Sequence, residues 1–341
     1  MYLARGFVDL QVNGFAGVDF NNSSISWQQA DLAIAAVLST GVTRFLPTVI
    51  TGSPDDMLAS LRNLNRIRKR LPRGKAMAGF HVEGPHIGAD DGPRGAHPLR
   101  WVRPPDPEEF HRWQEATDGN IRLVTLSPHW PEAPEYIEAL VREGVAVSIG
   151  HTGASAEQIT AAVNAGATLS THVGNAAHAV LRRHPNYLWD QLAEDRLSAS
   201  FIVDGIHLGD AFLRVALRAK GVAKTILVTD AAAPAGAMPG PYRLGELEVE
   251  LTMDDRVVLK GTGKLAGSSL RMNRAIPNVV RISGVSLPDA VQMASANPAR
   301  LIGLTGELLP GAPADIVVFK AGDPLQIQAV YLDGENVYSC N

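Results

Sequence analysis

The chain has 341 residues, of which 45% are hydrophobic and 19% charged, and its formal net charge at pH 7 is −4. A chain of this length and composition can bury a large core, which excludes an intrinsically disordered protein. Acidic and basic residues are interspersed, without the basic excess that is typical of nucleic-acid-binding proteins. The sequence therefore predicts a globular protein whose partners are small molecules or copies of itself.

Neither an export signal nor a membrane span is predicted. The sequence has no run of about eighteen apolar residues, and Met1 to Arg5 leads directly into a strand-like segment that contains Asp9. The single cysteine, Cys340, excludes an intrachain disulfide and a cysteine-based metal site. We therefore expect a protein of the reducing cytoplasm, with no membrane partner and no nucleic-acid partner.

Strand and helix patterns alternate over roughly the first two thirds of the chain. Apolar runs predict eight strands, at 6–10, 43–48, 76–82, 121–126, 145–149, 167–170, 197–203 and 224–229. Helical patterns lie between them, at 27–39, 54–71, 107–116, 133–143, 156–165, 188–194 and 211–219. Polar residues stand at the strand ends, and no glycine-rich dinucleotide fingerprint follows the first strand. This order predicts an α/β fold, a closed (β/α)8 barrel of the TIM type.

Two segments interrupt the alternation. The loop from Gly84 to Pro107 is rich in glycine and proline, and loops of this length in compact domains usually cover or line a site. From Tyr242 onward, short strands are predicted at 247–251 and 256–259, then helices as far as Arg300, then strands at 314–319, 326–332 and 335–338. We expect residues 1–241 and 262–305 to form the barrel, and residues 242–261 and 306–341 to form a small, reduced β appendage.

Residues that can bind a metal follow four of the predicted strands. His151 and His172 follow two neighbouring strands, and Glu83 and Asp230 each end another apolar run. Imidazole and carboxylate groups are ligands for divalent metals of borderline softness. Each residue alone is more typical of a hydrogen-bonded or helix-capping position. All four at the carboxyl edge of one sheet favour a metal centre.

Seven short motifs follow one another along the chain. They are Gly6-Phe7-Val8-Asp9-Leu10-Gln11-Val12-Asn13-Gly14, His81-Val82-Glu83-Gly84-Pro85, Gly150-His151-Thr152, Thr171-His172 with Asn175-Ala176, Asp204-Gly205-Ile206-His207, Val228-Thr229-Asp230-Ala231 and Leu265-Ala266-Gly267-Ser268-Ser269. In this order they resemble the family of N-acetylglucosamine-6-phosphate deacetylases, which lies within the amidohydrolase superfamily. The resemblance extends over nearly the whole chain. It implies a metal-dependent enzyme that hydrolyses the acetamide of N-acetylglucosamine 6-phosphate to glucosamine 6-phosphate and acetate.

The same resemblance implies a role for each residue of the centre. Glu83, His151 and His172 would bind the metal, Asp230 would be the catalytic acid and base, and His97 would polarise the amide carbonyl. Zinc is the expected ion, with iron, cobalt and manganese as alternatives.

The number of metal ions is predicted from the first strand. Amidohydrolases with two metals have a His-x-His pair at its end, where this chain has Gln11-Val12-Asn13. Amide side chains are poor ligands beside imidazole, so we expect one ion per chain.

The resemblance also implies a substrate-binding set. Its members are Ala96, His97, Asn175, Ala176, Arg183, His207, Ala266, Gly267 and Ser268. Arg183 would bind the phosphate across the interface of a homodimer. The family has an Arg-Glu-Pro-Gly sequence where this chain has Arg182-Arg183-His184-Pro185-Asn186. Paired arginines favour phosphate binding, but they are also typical of a solvated or interface surface.

Three functions are therefore open at the level of the sequence. The first is the deacetylase just described. The second is a deacetylase of another N-acyl amino sugar, because the loop around Arg183 departs from the family. The third is a non-catalytic sugar-phosphate-binding protein, because family members carry a longer β segment before the first barrel strand. The ligand set and Asp230 favour an enzyme.

Overall fold

The computed structural model describes residues 1–340, so Asn341, the last residue of the predicted appendage, lies outside the described residues. The strands are β1 (Tyr2–Arg5), β2 (Phe7–Val12), β3 (Gly14–Phe15), β4 (Val18–Asp19), β5 (Val42–Ile50), β6 (Phe80–Glu83), β7 (Ile121–Leu126), β8 (Ala146–Ile149), β9 (Leu169–Ser170), β10 (Ser198–Ile202), β11 (Thr225–Val228), β12 (Gly240–Leu244), β13 (Leu247–Leu251), β14 (Val257–Leu259), β15 (Ile316–Lys320), β16 (Gln326–Leu332) and β17 (Glu335–Ser339). The helices are α1 (Trp27–Leu38), α2 (Pro54–Arg70), α3 (Pro107–Ala116), α4 (Ala133–Arg142), α5 (Ala156–Asn164), α6 (Tyr187–Ala193), α7 (Asp210–Lys220), α8 (Met272–Ser283), α9 (Leu287–Ala294) and α10 (Ala296–Leu301).

Eight parallel strands form the central barrel. Their order around the sheet is β2, β5, β6, β7, β8, β9, β10 and β11. The two ends of the sheet meet where Val12 and Ala231 form a parallel bridge, and the Asn13 N–H donates to the Ala231 carbonyl at 2.7 Å. The predicted eight-stranded barrel is confirmed. Among residues 1–340, no helix has both the length and the apolar character that a bilayer span requires.

A polar network fills the barrel just below its carboxyl edge. The Nε2 atom of His81 lies 2.8 Å from the Thr125 hydroxyl, which lies 2.8 Å from the Thr171 hydroxyl. The Ser148 hydroxyl also contacts Thr171. Burial lowers the pKa of His81 to about 4, so this ring is neutral. Because every member is hydrogen-bonded, the network can hold the strand ends above it without leaving a buried polar group unpaired.

Local sequence signals account for most element boundaries. The predicted cap of α2 is present, because the Ser53 hydroxyl accepts a hydrogen bond from the Asp56 N–H at 3.1 Å and a proline occupies the first turn. The largest difference lies in the third barrel strand, which was predicted to begin at residue 76. It begins at Phe80, because residues 72–76 form a 3-10 helix and Gly79 has a φ of 148°, outside the strand region.

The strands outside the barrel form separate sheets at its two ends. The three-stranded sheet β12–β14 lies at the carboxyl end, where Leu244 and Val249 share a small hydrophobic cluster with Ile50. The four-stranded sheet has the order β1, β15, β16, β17. The prediction that the appendage consists of the C-terminal strands and the insert alone was therefore wrong for residues 2–5. These residues pair with β15, and the Tyr2 ring stacks on Phe319 at 5.5 Å.

A buried ion pair joins the four-stranded sheet to the amino end of β5. The Arg44 guanidinium donates from Nε to Asp315 Oδ2 at 2.6 Å and from Nη2 to Oδ1 at 3.1 Å. The side chains are 14% and 3% exposed. Asp315 also accepts the Asp333 N–H at 3.0 Å. The pair thus joins the amino-terminal part of β5 to the residue that precedes β15, two segments that lie far apart in sequence.

We expect Asp315→Ala to lower the free energy of unfolding by about 3 kcal/mol, because it leaves Arg44 largely buried with only the more exposed Asp333 as a counter-charge. The urea midpoint at neutral pH measures this change. The control is Asp254→Ala, which removes an exposed pair with Arg256 and should barely move the midpoint. Equal midpoints for the two variants would contradict this assignment.

Candidate metal centre and active site

Four strand-end side chains meet at the mouth of the barrel. Glu83 is the last residue of β6, and His151, His172 and Asp230 each stand two residues after the end of β8, β9 and β11. The latter three have φ angles of 51°, 28° and 50°. Residues other than glycine rarely adopt this left-handed conformation, which is concentrated at functional sites. The sharp turn after each strand lets all four side chains line one cavity.

The Oε1 atom of Glu83 is the point on which the predicted ligands converge. It lies 3.0 Å from Nε2 of His172 and 3.3 Å from Nε2 of His151, and all three residues are buried. The Nδ1 atom of His151 lies 3.0 Å from the Pro93 carbonyl, which can only accept a hydrogen bond from it. In the neutral ring, Nε2 therefore presents a lone pair toward the Glu83 carboxylate.

Two facing lone pairs at this distance repel each other, and a cation between them relieves the repulsion. Tetrahedral ligands about 2.1 Å from a metal lie about 3.4 Å apart, close to the observed contacts. The Pro93 carbonyl supplies the outer hydrogen bond that orients a metal-binding imidazole. The donor set and its spacing thus fit a divalent metal ion.

His97 adds a third imidazole to this cluster. One ligand atom from each of Glu83, His97 and His151 lies within 4.8 Å of the others. Burial lowers the pKa of His97 to about 3, so the ring is neutral. Its Nδ1 lies 2.8 Å from the Thr51 hydroxyl. If that hydroxyl donates to Nδ1, the proton of the ring is on Nε2, where it can be donated to a substrate oxygen.

Asp230 differs electrostatically from Glu83, although both carboxylates are buried. Burial raises the pKa of Asp230 to about 6, and the negative charge of Glu83 adds to the increase. The Asn13 side chain donates to Oδ1 of Asp230 at 2.7 Å. A carboxyl group whose pKa lies near neutrality can accept a proton and return it, as a general acid and base must.

The amide side chains of the first barrel strand act as hydrogen-bond donors. Gln11 donates to Oε1 of Glu83 at 2.7 Å, as Asn13 does to Asp230. Gln11 and Asn13 were considered only as possible metal ligands, so their role as hydrogen-bond donors was not predicted. The signal that could have found it is the spacing of two, which places both amides on the inner face of β2 and its continuation.

Thr51 and the Pro93 carbonyl were also missed. Thr51 directly follows β5, the second barrel strand, and can approach the centre because Gly84 has no side chain. A Cβ at Gly84 would lie 2.2 Å from the Thr51 hydroxyl. No local pattern predicts such contacts, because they depend on the path of the long loop.

The cavity above the centre has a volume of about 470 Å³, within the range of small-molecule sites. Its lining includes all of the predicted site residues except two: Glu83, Ala96, His97, His151, His172, Asn175, Ala176, His207, Asp230, Ala266 and Gly267. Ser268 lies behind the lining, where its N–H donates to the Asp230 carbonyl at 2.8 Å and its hydroxyl to the Thr229 carbonyl. Arg183 is exposed at the surface and does not line the cavity of its own chain.

His207 is held in place by a neighbouring carboxylate. Asp204 accepts the backbone N–H of His207 at 2.9 Å through Oδ1 and contacts its Nδ1 at 2.6 Å through Oδ2. The loop after β10 is thereby closed on itself, and the imidazole has a fixed position on the cavity wall.

Comparison with known proteins identifies relatives that match nearly the whole of this chain. The profile of the amidohydrolase family matches residues 2–337. The N-acetylglucosamine-6-phosphate deacetylase of Bos taurus is 37% identical over 350 residues, covering 98% of this chain and 83% of the relative. The enzyme of the same name from Bacillus subtilis is 33% identical over 325 residues, covering 94% and 81%.

Solved structures agree with these sequence matches. A variant of the N-acetyl-D-glucosamine-6-phosphate deacetylase from Mycobacterium smegmatis, in complex with N-acetyl-D-glucosamine-6-phosphate, superposes with a TM-score of 0.90 at 33% identity, covering 99% of this chain and 87% of that one. The N-acetylglucosamine-6-phosphate deacetylase from Thermotoga maritima gives a TM-score of 0.87 at 28% identity, covering 99% and 89%.

We expect Glu83→Gln to lose most of its bound divalent metal, because a neutral amide cannot balance the charge of the ion. Elemental analysis of the dialysed proteins measures the loss. The matched control is Glu109→Gln, which alters another buried carboxylate, one paired with Arg103 outside the cavity, and should retain the metal of the wild type. Wild-type metal content in Glu83→Gln would exclude this residue as a ligand.

Proposed function

The chain belongs to the amidohydrolase family, and we propose that it hydrolyses the acetamide of N-acetylglucosamine 6-phosphate to glucosamine 6-phosphate and acetate. The observation that carries this proposal is the convergence of Glu83, His151, His172 and Asp230 on one cavity. Near full-length similarity to deacetylases of this name supports the choice of substrate. Binding of a sugar phosphate alone does not require strained metal-ligating residues beside a carboxyl group whose pKa is raised.

Glu83, His151 and His172 would hold one divalent ion. Three protein ligands leave a position open, as catalytic sites do. When bound, the metal supplies a Lewis acid, which lowers the pKa of water and polarises the amide carbonyl. We propose zinc, and iron(II), cobalt or manganese suit the same donors. A single ion is favoured because Gln11 and Asn13 are engaged as donors to the two carboxylates.

Asp230 moves the proton during hydrolysis. Its carboxylate takes a proton from the attacking water and then gives it to the nitrogen that leaves, so that the C–N bond breaks into acetate and a free amine. Asn13 binds one carboxylate oxygen and leaves the other for this transfer. His97, uncharged and held by Thr51, donates a hydrogen bond to the carbonyl oxygen as negative charge develops there.

The sugar is held by the walls of the cavity. We assign this role to the side chains and backbone of Ala96, Asn175, Ala176, His207, Ala266, Gly267 and Ser268. Ser268 contributes from behind the lining, since its hydrogen bonds fix the strand end that carries Asp230.

We also propose a cytoplasmic homodimer in which Arg183 reaches the phosphate in the partner's site. Arg183 lies at the surface, outside its own cavity, on a loop that also exposes Val180 by 89%. Trp189, close by in sequence, is 49% exposed. An interface at this surface would bury these apolar side chains and bring Arg183 to the partner's site, where its guanidinium can bind a phosphate.

One observation favours an alternative to the proposed substrate. The loop at 182–186 differs from the sequence that the family has there, so the cavity could instead serve another N-acyl amino sugar. Comparing turnover of N-acetylglucosamine with and without the 6-phosphate separates the two cases.

We expect Asp230→Asn to reduce kcat for acetate release by about a thousandfold, the scale of a lost general acid and base, while metal content and circular dichroism stay as in the wild type. Asp195→Asn, on an exposed turn, is the control and should keep full activity. Full turnover by Asp230→Asn, or none by the metal-loaded wild type, would rule out the proposed mechanism or substrate.

We expect Arg183→Ala to raise KM for the phosphorylated sugar without lowering kcat, because it removes a charge from the partner's site. Co-expression with Asp230→Asn tests the sharing of the site. A mixed dimer would contain one complete site, with Asp230 from one protomer and Arg183 from the other, so activity at low substrate should return. An Arg183 that serves its own protomer would give no such recovery.

A further inference from the structure

The active-site cavity is lined by a basic side chain of its own protomer. Among the lysines and arginines of residues 1–340, Lys264 is the one that contributes to the lining. Its Nζ forms an ion pair with Asp91, another lining residue, from the long loop between Gly84 and Pro107. The pair therefore joins two segments across the mouth of the cavity.

Lys264 is positioned by a tight turn that follows β14. The Leu259 N–H donates to the Lys264 carbonyl at 2.7 Å, and the Lys264 N–H donates to the Thr262 hydroxyl at 3.1 Å. From there the chain runs along the cavity wall to Ser268, whose N–H is bonded to the Asp230 carbonyl. Four residues span at most about 14 Å. Lys264 is thus an exposed residue on the wall of the cavity that contains Asp230.

Asp91 is a weak partner for this lysine. The Lys264 and Asp91 side chains are 49% and 69% exposed, and exposed ion pairs contribute little to stability. Asp91 also lies 3.5 Å from Nη2 of Arg94, so it keeps a neighbouring cation when Lys264 leaves. A phosphate group carries nearly two negative charges and three acceptor oxygens, and is the stronger partner for an ammonium group.

The chemistry of the substrate separates its phosphate from the group that is hydrolysed. The acetamide at C2 and the phosphate at C6 lie on opposite sides of a pyranose ring, so a sugar whose acetamide faces Asp230 directs its phosphate outward. We propose that Lys264 binds the 6-phosphate within its own protomer, and that Asp91 holds the lysine until the phosphate displaces it. This inference rests on the proposed function and adds a specificity-determining residue to it.

The test is the ratio of kcat/KM for N-acetylglucosamine 6-phosphate to that for N-acetylglucosamine. Lys264→Met should lower this ratio at least about tenfold, through KM, the scale of one lost charge-assisted hydrogen bond. Lys264→Arg should restore most of it. Asp91→Asn should leave the ratio unchanged or raise it, because the competing carboxylate is gone. Lys260→Met is the matched control, since Lys260 pairs with Glu248 on the same sheet at 2.8 Å and does not line the cavity.

Opposite effects of the two substitutions distinguish phosphate recognition by Lys264 from an ion pair that only holds the two segments together. If the ion pair only closed the mouth, Lys264→Met and Asp91→Asn would change turnover of both sugars alike, and the inference would be overturned. Calorimetric binding of glucosamine 6-phosphate tests Lys264 independently of turnover. An unchanged Kd in Lys264→Met overturns its role even in an active enzyme. A weakened Kd with a wild type that releases no acetate supports Lys264 and refutes the deacetylase function instead.

Discussion

A buried carboxylate imposes the main constraint on this structure. Glu83 is almost fully enclosed in the barrel, where an uncompensated negative charge is strongly unfavourable. Burial alone would raise its pKa, but the hydrogen bonds and charges of His151 and His172 hold that pKa well below its usual range. The charge on Glu83 in turn helps to raise the pKa of Asp230. One carboxylate thus remains ionised to bind a cation, while the other titrates near neutrality, and this separation assigns their different roles.

The barrel provides the rigidity that this arrangement requires. The left-handed conformations of His151, His172 and Asp230 each cost on the order of 1–3 kcal/mol, and they persist because the surrounding structure leaves no alternative. Thr171 directly precedes His172 and belongs to the polar network below the carboxyl edge. The Ser200 hydroxyl accepts the His172 N–H at 2.8 Å. The chain is therefore held at the strained residue and at the residue before it.

Two of the three sheets outside the barrel lie at its opposite ends. The four-stranded sheet is joined to the amino end of the barrel through the ion pair of Arg44 and Asp315. In barrels of this kind, residues at the amino end contribute to stability. The sheet β12–β14 lies at the carboxyl end and forms one side of the cavity mouth. The long loop forms another, and the two meet through polar pairs, of which Arg100 with Glu246 is a second example.

The sequence by itself determined the barrel and the residues of its centre. Eight apolar runs separated by helical patterns leave few ways to bury their surface, and parallel strands in a closed barrel bring Glu83, His151, His172 and Asp230 to one edge whatever the details of packing. Only the tertiary structure decided the pairing of residues 2–5, the donor role of Gln11 and the contact of Lys264 with the cavity. These three features depend on contacts between segments that are distant in the sequence, and no local periodicity predicts such contacts.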